Sequence, residues 1–174
     1  MLSTFNTIVG IGTTFVLLVI ISLWILMFLG ETENRYFRFI KKHAFHFGFL
    51  LSLGAIVGSL TYSEVFRFIP CDFCWWQRIF MYPQLIVLGT GIYLKDLKVW
   101  ITSIILSAIG ACFSIYNILI QMGVVGPTGD CATSGVSCAK IDVLIFGWLT
   151  IPIMCLILFV SILTLSYVAH RKNA

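Results

Sequence analysis

The sequence predicts an all-α integral membrane protein with five membrane-spanning helices. Hydrophobic residues make up 60% of its 174 residues and charged residues only 10%, whereas a soluble domain is about 45–50% apolar and about 25% charged. Apolar runs of roughly 20 residues, long enough to cross a bilayer as helices, recur along the chain. This hydrophobicity excludes a disordered chain. A net charge of +4 on so apolar a chain argues against nucleic-acid binding.

Short clusters of charge separate the five predicted spans. The third span reaches full length only if it begins near Trp75 and includes Arg78. None of the segments alternates apolar and polar residues as a barrel strand does, so all five are predicted to be helices. The first lacks a basic leader and a small-residue cleavage site, which favours a retained helix over a signal peptide. In chain order the predicted spans are Ile8–Leu29, Ala44–Ser63, Ile79–Leu94, Val99–Leu119 and Val143–Ala169.

The distribution of lysine and arginine predicts the orientation in the cell membrane. Eight of the eleven Lys and Arg residues fall on one side of a five-span arrangement, in the segment after the first span, the turn after the third and the C-terminal tail. Because such residues accumulate in cytoplasmic loops, that side is predicted to be cytoplasmic and the N-terminus to lie outside. Two loops then face outward, from about Tyr62 to Cys74 and from about Gln121 to Asp142.

Four of the six cysteines lie in these two outer loops. Cys71 and Cys74 form a C-x-x-C motif, and Cys131 and Cys138 lie close together in the second loop. The outer side of a membrane is where disulfides form and persist. Disulfides within these pairs would close small rings and stabilise the fold little, because the stabilisation by a disulfide grows with loop length. Small, exposed disulfides are the labile ones, which favours a redox role.

The start of the third helix has the features of a thiol redox site. A helix N-terminus and a nearby cation both favour a thiolate, and Cys74 has both, since Arg78 lies one turn further along the helix. An arginine within a span indicates a functional site; the alternative is that Arg78 extends to a lipid phosphate. Trp75 and Trp76 are either interfacial aromatic residues or a surface on which a cofactor stacks. The chain has no G-x-G-x-x-G motif for a flavin or nicotinamide, so a lipid-soluble quinone is left as the electron acceptor by elimination.

Two other interpretations of the cysteines stay open. The four loop cysteines could form inert structural disulfides, or they could hold a zinc ion between the loops. The flexible composition around Cys131 argues against a rigid zinc site, and no metal is predicted.

The segment PCDFCWWQRIFMYP, with the second cysteine pair and FGWLTIP before the last span, resembles the DsbB/BdbC family of membrane disulfide oxidases. The resemblance covers about Ala44 to Val168, and its most specific part is the C-x-x-C followed by Gln77 and Arg78. The short second loop is more similar to the BdbC-type branch. The resemblance implies a four-helix DsbB-like bundle at 44–168, preceded by one extra N-terminal transmembrane helix and basic linker at 1–43 and followed by a tail at 169–174.

The resemblance also implies a function and a role for each cysteine. The protein would be a thiol:quinone oxidoreductase that reoxidises a DsbA-like thioredoxin-fold partner and reduces ubiquinone or menaquinone from the membrane pool. Cys131 and Cys138 would exchange with the partner, and Cys71 and Cys74 would be the pair coupled to the quinone. Cys74 would be the thiolate that faces the quinone, beside Arg78. Gln77, Trp75 and Trp76 complete the predicted cofactor-binding residues.

Two spacings of small or polar residues predict helix packing. Gly54 and Gly58 form a small-xxx-small pair, which is typical of closely packed membrane helices. Asn117 and Gln121 share one face of the fourth span, where hydrogen bonds to a neighbouring helix are expected and a quinone contact is the alternative.

Overall fold

The computed structural model describes residues 1–31, 34–95, 98–126 and 137–170. Its main elements are five long helices: α1 (Leu2–Phe28), α2 (Arg35–Leu60), α3 (Asp72–Leu94), α4 (Val99–Gln121) and α5 (Ile151–His170). A π-helical turn, Thr61–Val65, extends α2, and a short antiparallel hairpin of β1 (Leu144–Ile145) and β2 (Leu149–Thr150) precedes α5. The prediction of an all-α membrane protein is confirmed.

By length and composition, four of the helices in the described part of the chain are candidate membrane spans. They are α1, α4, α5 and the continuous segment Arg35–Val65. Helix α3 is not among them, and it contains Arg78 in its second turn. This difference between α3 and the other helices agrees with the sequence, in which the third span reaches full length only by including that arginine.

Helices α2 to α5 form a ring in which α2 packs against α3 and α5, and α4 packs against the same two helices. Gly110 permits a close approach of α4 and α5, because a Cβ atom there would collide with the ring of Phe159. Gln84 of α3 forms hydrogen bonds with Ser103 of α4 at the centre of the ring. Its side-chain amide donates to the backbone carbonyl of Ser103 at 2.8 Å and accepts from that residue's hydroxyl at 3.0 Å. Ser103 in turn lies 2.9 Å from the hydroxyl of Ser166 on α5.

Helix α1 packs on the outside of this ring, mainly against α5. Its C-terminal half joins a buried cluster with the start of α2 and the end of α5, which includes Leu23, Phe37 and Val168. The indole nitrogen of Trp24 also donates to the hydroxyl of Thr164 on α5, at 3.1 Å. Thus α1 is an integral part of the packed structure.

The last helix begins later than the sequence predicted. The predicted span starts at Val143, whereas α5 begins at Ile151 and the intervening residues form the hairpin. Phe146 and Gly147 both have positive φ angles, 53° and 77°, which turn the chain back on itself. Val143, Ile145 and Leu149 are buried against Tyr62. Their apolar character therefore reflects packing at the end of the bundle and not a membrane-spanning helix.

Candidate redox site

The C-x-x-C motif lies at the beginning of α3. Cys71 is the N-cap residue of that helix and is 7% exposed, and Cys74 lies half-buried in its first turn. Their sulfur atoms are 3.1 Å apart. This end of the bundle, which holds Cys71, Cys74 and Cys138, is called the cysteine end below.

Cys138 comes from the second cysteine loop and reaches the same place. It is 2% exposed and packs in one buried cluster with Cys71 and Ile120, bordered by Cys74. The side chains of Cys138 and Cys71 are also hydrogen-bonded. The fold therefore brings cysteines from both predicted pairs together; the fourth, Cys131, lies outside the described residues.

The surroundings of Cys71 favour its neutral thiol. The hydrogen bond with Cys74 raises the pKa of Cys71 well above its ordinary value, and burial raises it further. The hydrogen bond with Cys138 acts in the opposite direction but is the weaker influence. Cys71 therefore keeps its proton at neutral pH when the pair is reduced.

Arg78 points into the protein and is only 6% exposed. Its Nε donates to the hydroxyl of Ser59 at 2.9 Å, and its Nη2 donates to the backbone carbonyl of the same residue at 3.1 Å. Its guanidinium carbon also lies 5.1 Å from the ring centroid of Trp75. An arginine held in this way does not extend to a lipid phosphate, so that alternative is wrong.

Among the described residues, no carboxylate forms an ion pair with the guanidinium of Arg78, which borders the same cavity as the cysteines. Within the described residues, the ion pair found is that of Lys140 and Asp142, whose charged atoms are 2.8 Å apart. A buried charge normally has a partner, because leaving water is costly for an ion. The guanidinium is therefore suited to a ligand with electron-rich oxygen atoms.

The cysteines and Arg78 border one cavity of about 370 Å³. That volume lies within the range of about 300–1,000 Å³ that is usual for small-molecule sites. Its polar lining comes from all four helices of the ring, and the remaining walls are mostly apolar. The polar and sulfur-bearing lining residues near the cysteine end include Ser59, Cys71, Cys74, Gln77, Arg78, Asn117, Gln121, Cys138 and Cys155.

Two buried amide side chains in this lining have no hydrogen-bond partner among the described residues. Gln77 and Asn117 are each 1% exposed, and the atoms concerned are Nε2 of Gln77 and both Nδ2 and Oδ1 of Asn117. Buried polar atoms are nearly always hydrogen-bonded to protein, water or a ligand, so these atoms can bind a molecule that occupies the cavity. The expected interhelical hydrogen bond of Asn117 is therefore wrong, and the alternative of a ligand contact remains.

The predicted cofactor-binding residues divide into two groups. Gln77 and Arg78 line the cavity that the cysteines border. Trp75 lies on the other side of Arg78, beside a second pocket at the surface that Arg78 also borders. Trp76 is 47% exposed and stacks on Phe113, with ring centroids 5.4 Å apart. Both tryptophans thus border the site from outside the cavity, and a direct contact with a cofactor stays a prediction for them.

Ser59 and Cys155 belong to the site and were not predicted. Ser59 is the residue that positions Arg78, and Cys155 on α5 lines the cavity. A serine or cysteine within an apolar span carries no signal of its own, because its role depends on which helix packs opposite it.

The geometry defines a class of protein: a helical membrane protein in which thiols from two segments of the chain meet beside a buried arginine and a cavity. Residues 41–169 match the family described as "Disulfide bond formation protein DsbB". The chain therefore belongs to the DsbB family.

Curated relatives agree with this assignment. The chain is 35% identical over 136 residues to "Probable disulfide formation protein C 2" of Bacillus cereus. That match covers 78% of this chain and 97% of the relative. It is 40% identical over 115 residues to "Disulfide bond formation protein C" of Bacillus subtilis. That match covers 66% of this chain and 83% of the relative. Disulfide formation is thus the shared role of the family. No solved structure matches the chain.

Proposed function

We propose that this protein oxidises the dithiol of a DsbA-like thioredoxin-fold partner and transfers the electrons to ubiquinone or menaquinone. The observation that carries the proposal is the single cavity bordered by Cys74, Arg78 and the unpartnered amides of Gln77 and Asn117. A quinone accepts two electrons and two protons, which are the number released when a dithiol becomes a disulfide. Its two carbonyl oxygens are acceptors for the guanidinium and amide donors of this cavity.

The two cysteine pairs would act in sequence. A thiolate of the reduced partner attacks the Cys131–Cys138 disulfide, and exchange leaves the partner oxidised and this pair reduced. A second exchange passes the reduction to Cys71 and Cys74. The burial of Cys138 against Cys71 supports direct exchange between the loops, since thiolate and disulfide sulfur must meet.

Within the first pair, the residues around each sulfur differ. The environment that keeps Cys71 protonated leaves Cys74 as the thiol that donates electrons. Cys74 lies in the first turn of α3, where the helix N-terminus stabilises negative charge. Arg78 follows one turn later and would hold the acceptor while stabilising charge that develops beside Cys74.

The proposed orientation places the cysteine end outside the cytoplasm, in the cell membrane of a bacterium. The basic start of α2 and the turn between α3 and α4 lie at the opposite end of these helices from Cys71. Because lysine and arginine concentrate on the cytoplasmic side, this separation supports the topology with the N-terminus outside and the C-terminus inside.

Redox-state mapping of the purified protein tests the proposal. A reduced thioredoxin-fold dithiol added without quinone should make Cys71, Cys74, Cys131 and Cys138 reactive to an alkylating reagent, and added ubiquinone or menaquinone should reverse this. Cys112, which is exposed outside the ring, provides a matched control through Cys112→Ser, expected to behave as wild type. Stoichiometric zinc without any response to quinone would instead establish a zinc-stabilised membrane protein, and inert disulfides would establish a structural role.

A further inference from the structure

Helices α1 and α2 touch at two separate levels. Near the cysteine end, the hydroxyl of Tyr62 donates to Oδ1 of Asn6 at 2.8 Å, and the ring of Phe5 lies 5.1 Å from that of Tyr62. Towards the other end, the hydroxyls of Ser22 and Tyr36 are 3.2 Å apart. These contacts hold the helices together above and below an intervening stretch.

Between the two levels the helices leave a gap. A Cβ atom added to Gly12, Gly54 or Gly58 would meet no atom of the described residues within 4 Å. The prediction that Gly54 and Gly58 pack closely against another helix is therefore wrong. These glycines instead keep a passage open at the side of the bundle.

This gap is continuous with the redox cavity. The residues on its two sides line the same cavity as Cys74 and Arg78, and on α2 they extend from Gly58 back to Leu50. Eight residues of helix correspond to about 12 Å, measured towards the middle of the bundle. The lining on this side includes Gly12, Thr13, Val16, Leu50, Gly54 and Gly58.

We propose that this gap is a side portal for the isoprenoid tail of the quinone, with α1 forming one wall. The inference rests on the proposed function, which places the quinone ring among the polar groups at Arg78. A tail attached to that ring must leave the cavity through an apolar opening, and the α1–α2 gap has a mostly apolar lining and lies between two helices that are candidate membrane spans. Since the region matched by the DsbB family begins at residue 41, α1 adds a wall outside that region.

The proposal gives the N-terminal helix a role in quinone use. A portal framed by α1 and α2 makes the fit of the tail depend on residues of α1, whereas the ring contacts depend on α2 to α5. Filling the portal should therefore discriminate between quinones by tail length and leave the ring chemistry unchanged.

The test compares Gly12→Phe and Gly54→Phe with Val57→Phe as the matched control. Val57 is 55% exposed on α2 and does not line the cavity. Each purified protein oxidises dithiothreitol with ubiquinone-1 or ubiquinone-4, which share one ring and carry one or four isoprenoid units. Both glycine variants should raise KM for ubiquinone-4 by about tenfold, equivalent to about 1.4 kcal/mol, and change KM for ubiquinone-1 less than about twofold. The Val57 variant should match wild type with both quinones.

The possible results distinguish a failure of the portal proposal from a failure of the proposed function. If the wild type reduces neither ubiquinones nor the corresponding menaquinones, the proposed function fails. If the wild type is active but the glycine variants change both tail lengths equally or change neither, the portal is refuted. An effect of Gly54→Phe without one of Gly12→Phe would refute the role of α1.

A measurement on the wild type guards against misfolded variants. A ubiquinone carrying a photoreactive group on its second isoprenoid unit should label peptides of α1 and α2 on irradiation. Labelling confined to α3, α4 or α5 would overturn the portal, whatever the variants do.

Discussion

The buried arginine of the proposed redox site, Arg78, provides the sharpest test of that site's chemistry. Replacing Arg78 by alanine removes a buried guanidinium that is held by two hydrogen bonds to Ser59 and borders the cavity beside Cys74. The Ser59 hydroxyl left behind can donate to a carbonyl one turn earlier in its own helix, so the fold should survive. The expected defect is therefore chemical.

The size of the defect follows from the contact that is lost. A hydrogen bond from a charged donor contributes about 1.5–3 kcal/mol. Losing one such bond to a quinone oxygen should lower kcat/KM for quinone by about 10-fold to 150-fold, at about 1.4 kcal/mol for each factor of ten. Arg78→Lys should recover only part of this loss, because a single ammonium cannot bind both oxygen atoms of Ser59 and a ligand in the planar geometry of arginine.

The assay separates the two half-reactions. Quinone reduction is followed by ultraviolet absorbance, and thiol exchange with a reduced dithiol is followed by alkylation in the absence of quinone. Arg78→Ala should slow the first and leave the second within about twofold of wild type. Arg67→Ala is the matched control, because it removes an exposed arginine near the same end of the bundle and should change neither. Unchanged quinone kinetics in Arg78→Ala would refute the assignment, as would an equal loss in both half-reactions.

Three further predictions concern stability. Gln84→Leu removes three buried hydrogen bonds, which at about 0.6 kcal/mol each should lower the free energy of unfolding in detergent by about 2 kcal/mol; no loss would show that these bonds are not stabilising. Gly110→Ala should destabilise by about 1–3 kcal/mol because its Cβ meets Phe159, whereas Gly54→Ala, with open space, should not. The fully reduced protein should lose stability as pH rises above about 8.5, because the pKa of Cys71 is raised in the folded state. Thermal unfolding from pH 8 to 10 measures this loss, and a Cys71→Ser variant with the same slope would contradict it.

The sequence predicted the helices well where composition alone decides them. Helix α4 begins at Val99 as predicted and ends two residues later than predicted, since an uncharged apolar run determines its own span. Helix α1 ends one residue earlier than predicted but begins at Leu2 instead of Ile8. The start of α5 was wrong, because Val143 and Leu149 are apolar for a different reason: they cover the end of the bundle in a hairpin. Apolar character signals burial, and in a short segment it does not distinguish a membrane helix from a cap over its end.

For the candidate site, the sequence predicted mainly the residues that lie close together in one segment of the chain. Cys71, Cys74, Gln77 and Arg78 lie within eight residues, so helical spacing alone brings them near each other. Ser59 and Asn117 reach the site from other helices; nothing near Ser59 in the sequence indicates its role, and the spacing of Asn117 and Gln121 left a ligand contact only as the alternative to helix packing. Their contribution appears only when the partner of each polar atom is traced in the folded chain.

Glycine shows why the sequence could not locate the cavity. Gly110 and Gly54 both lie in apolar helices, and in each case the missing side chain leaves a recess in the helix surface. At Gly110 the ring of Phe159 fills that recess and joins two helices. At Gly54 no described atom fills it, because α1 contacts α2 above and below this level but not at it. The same residue type therefore closes one interface and opens another, and the difference lies in the position of α1, the helix outside the matched family region.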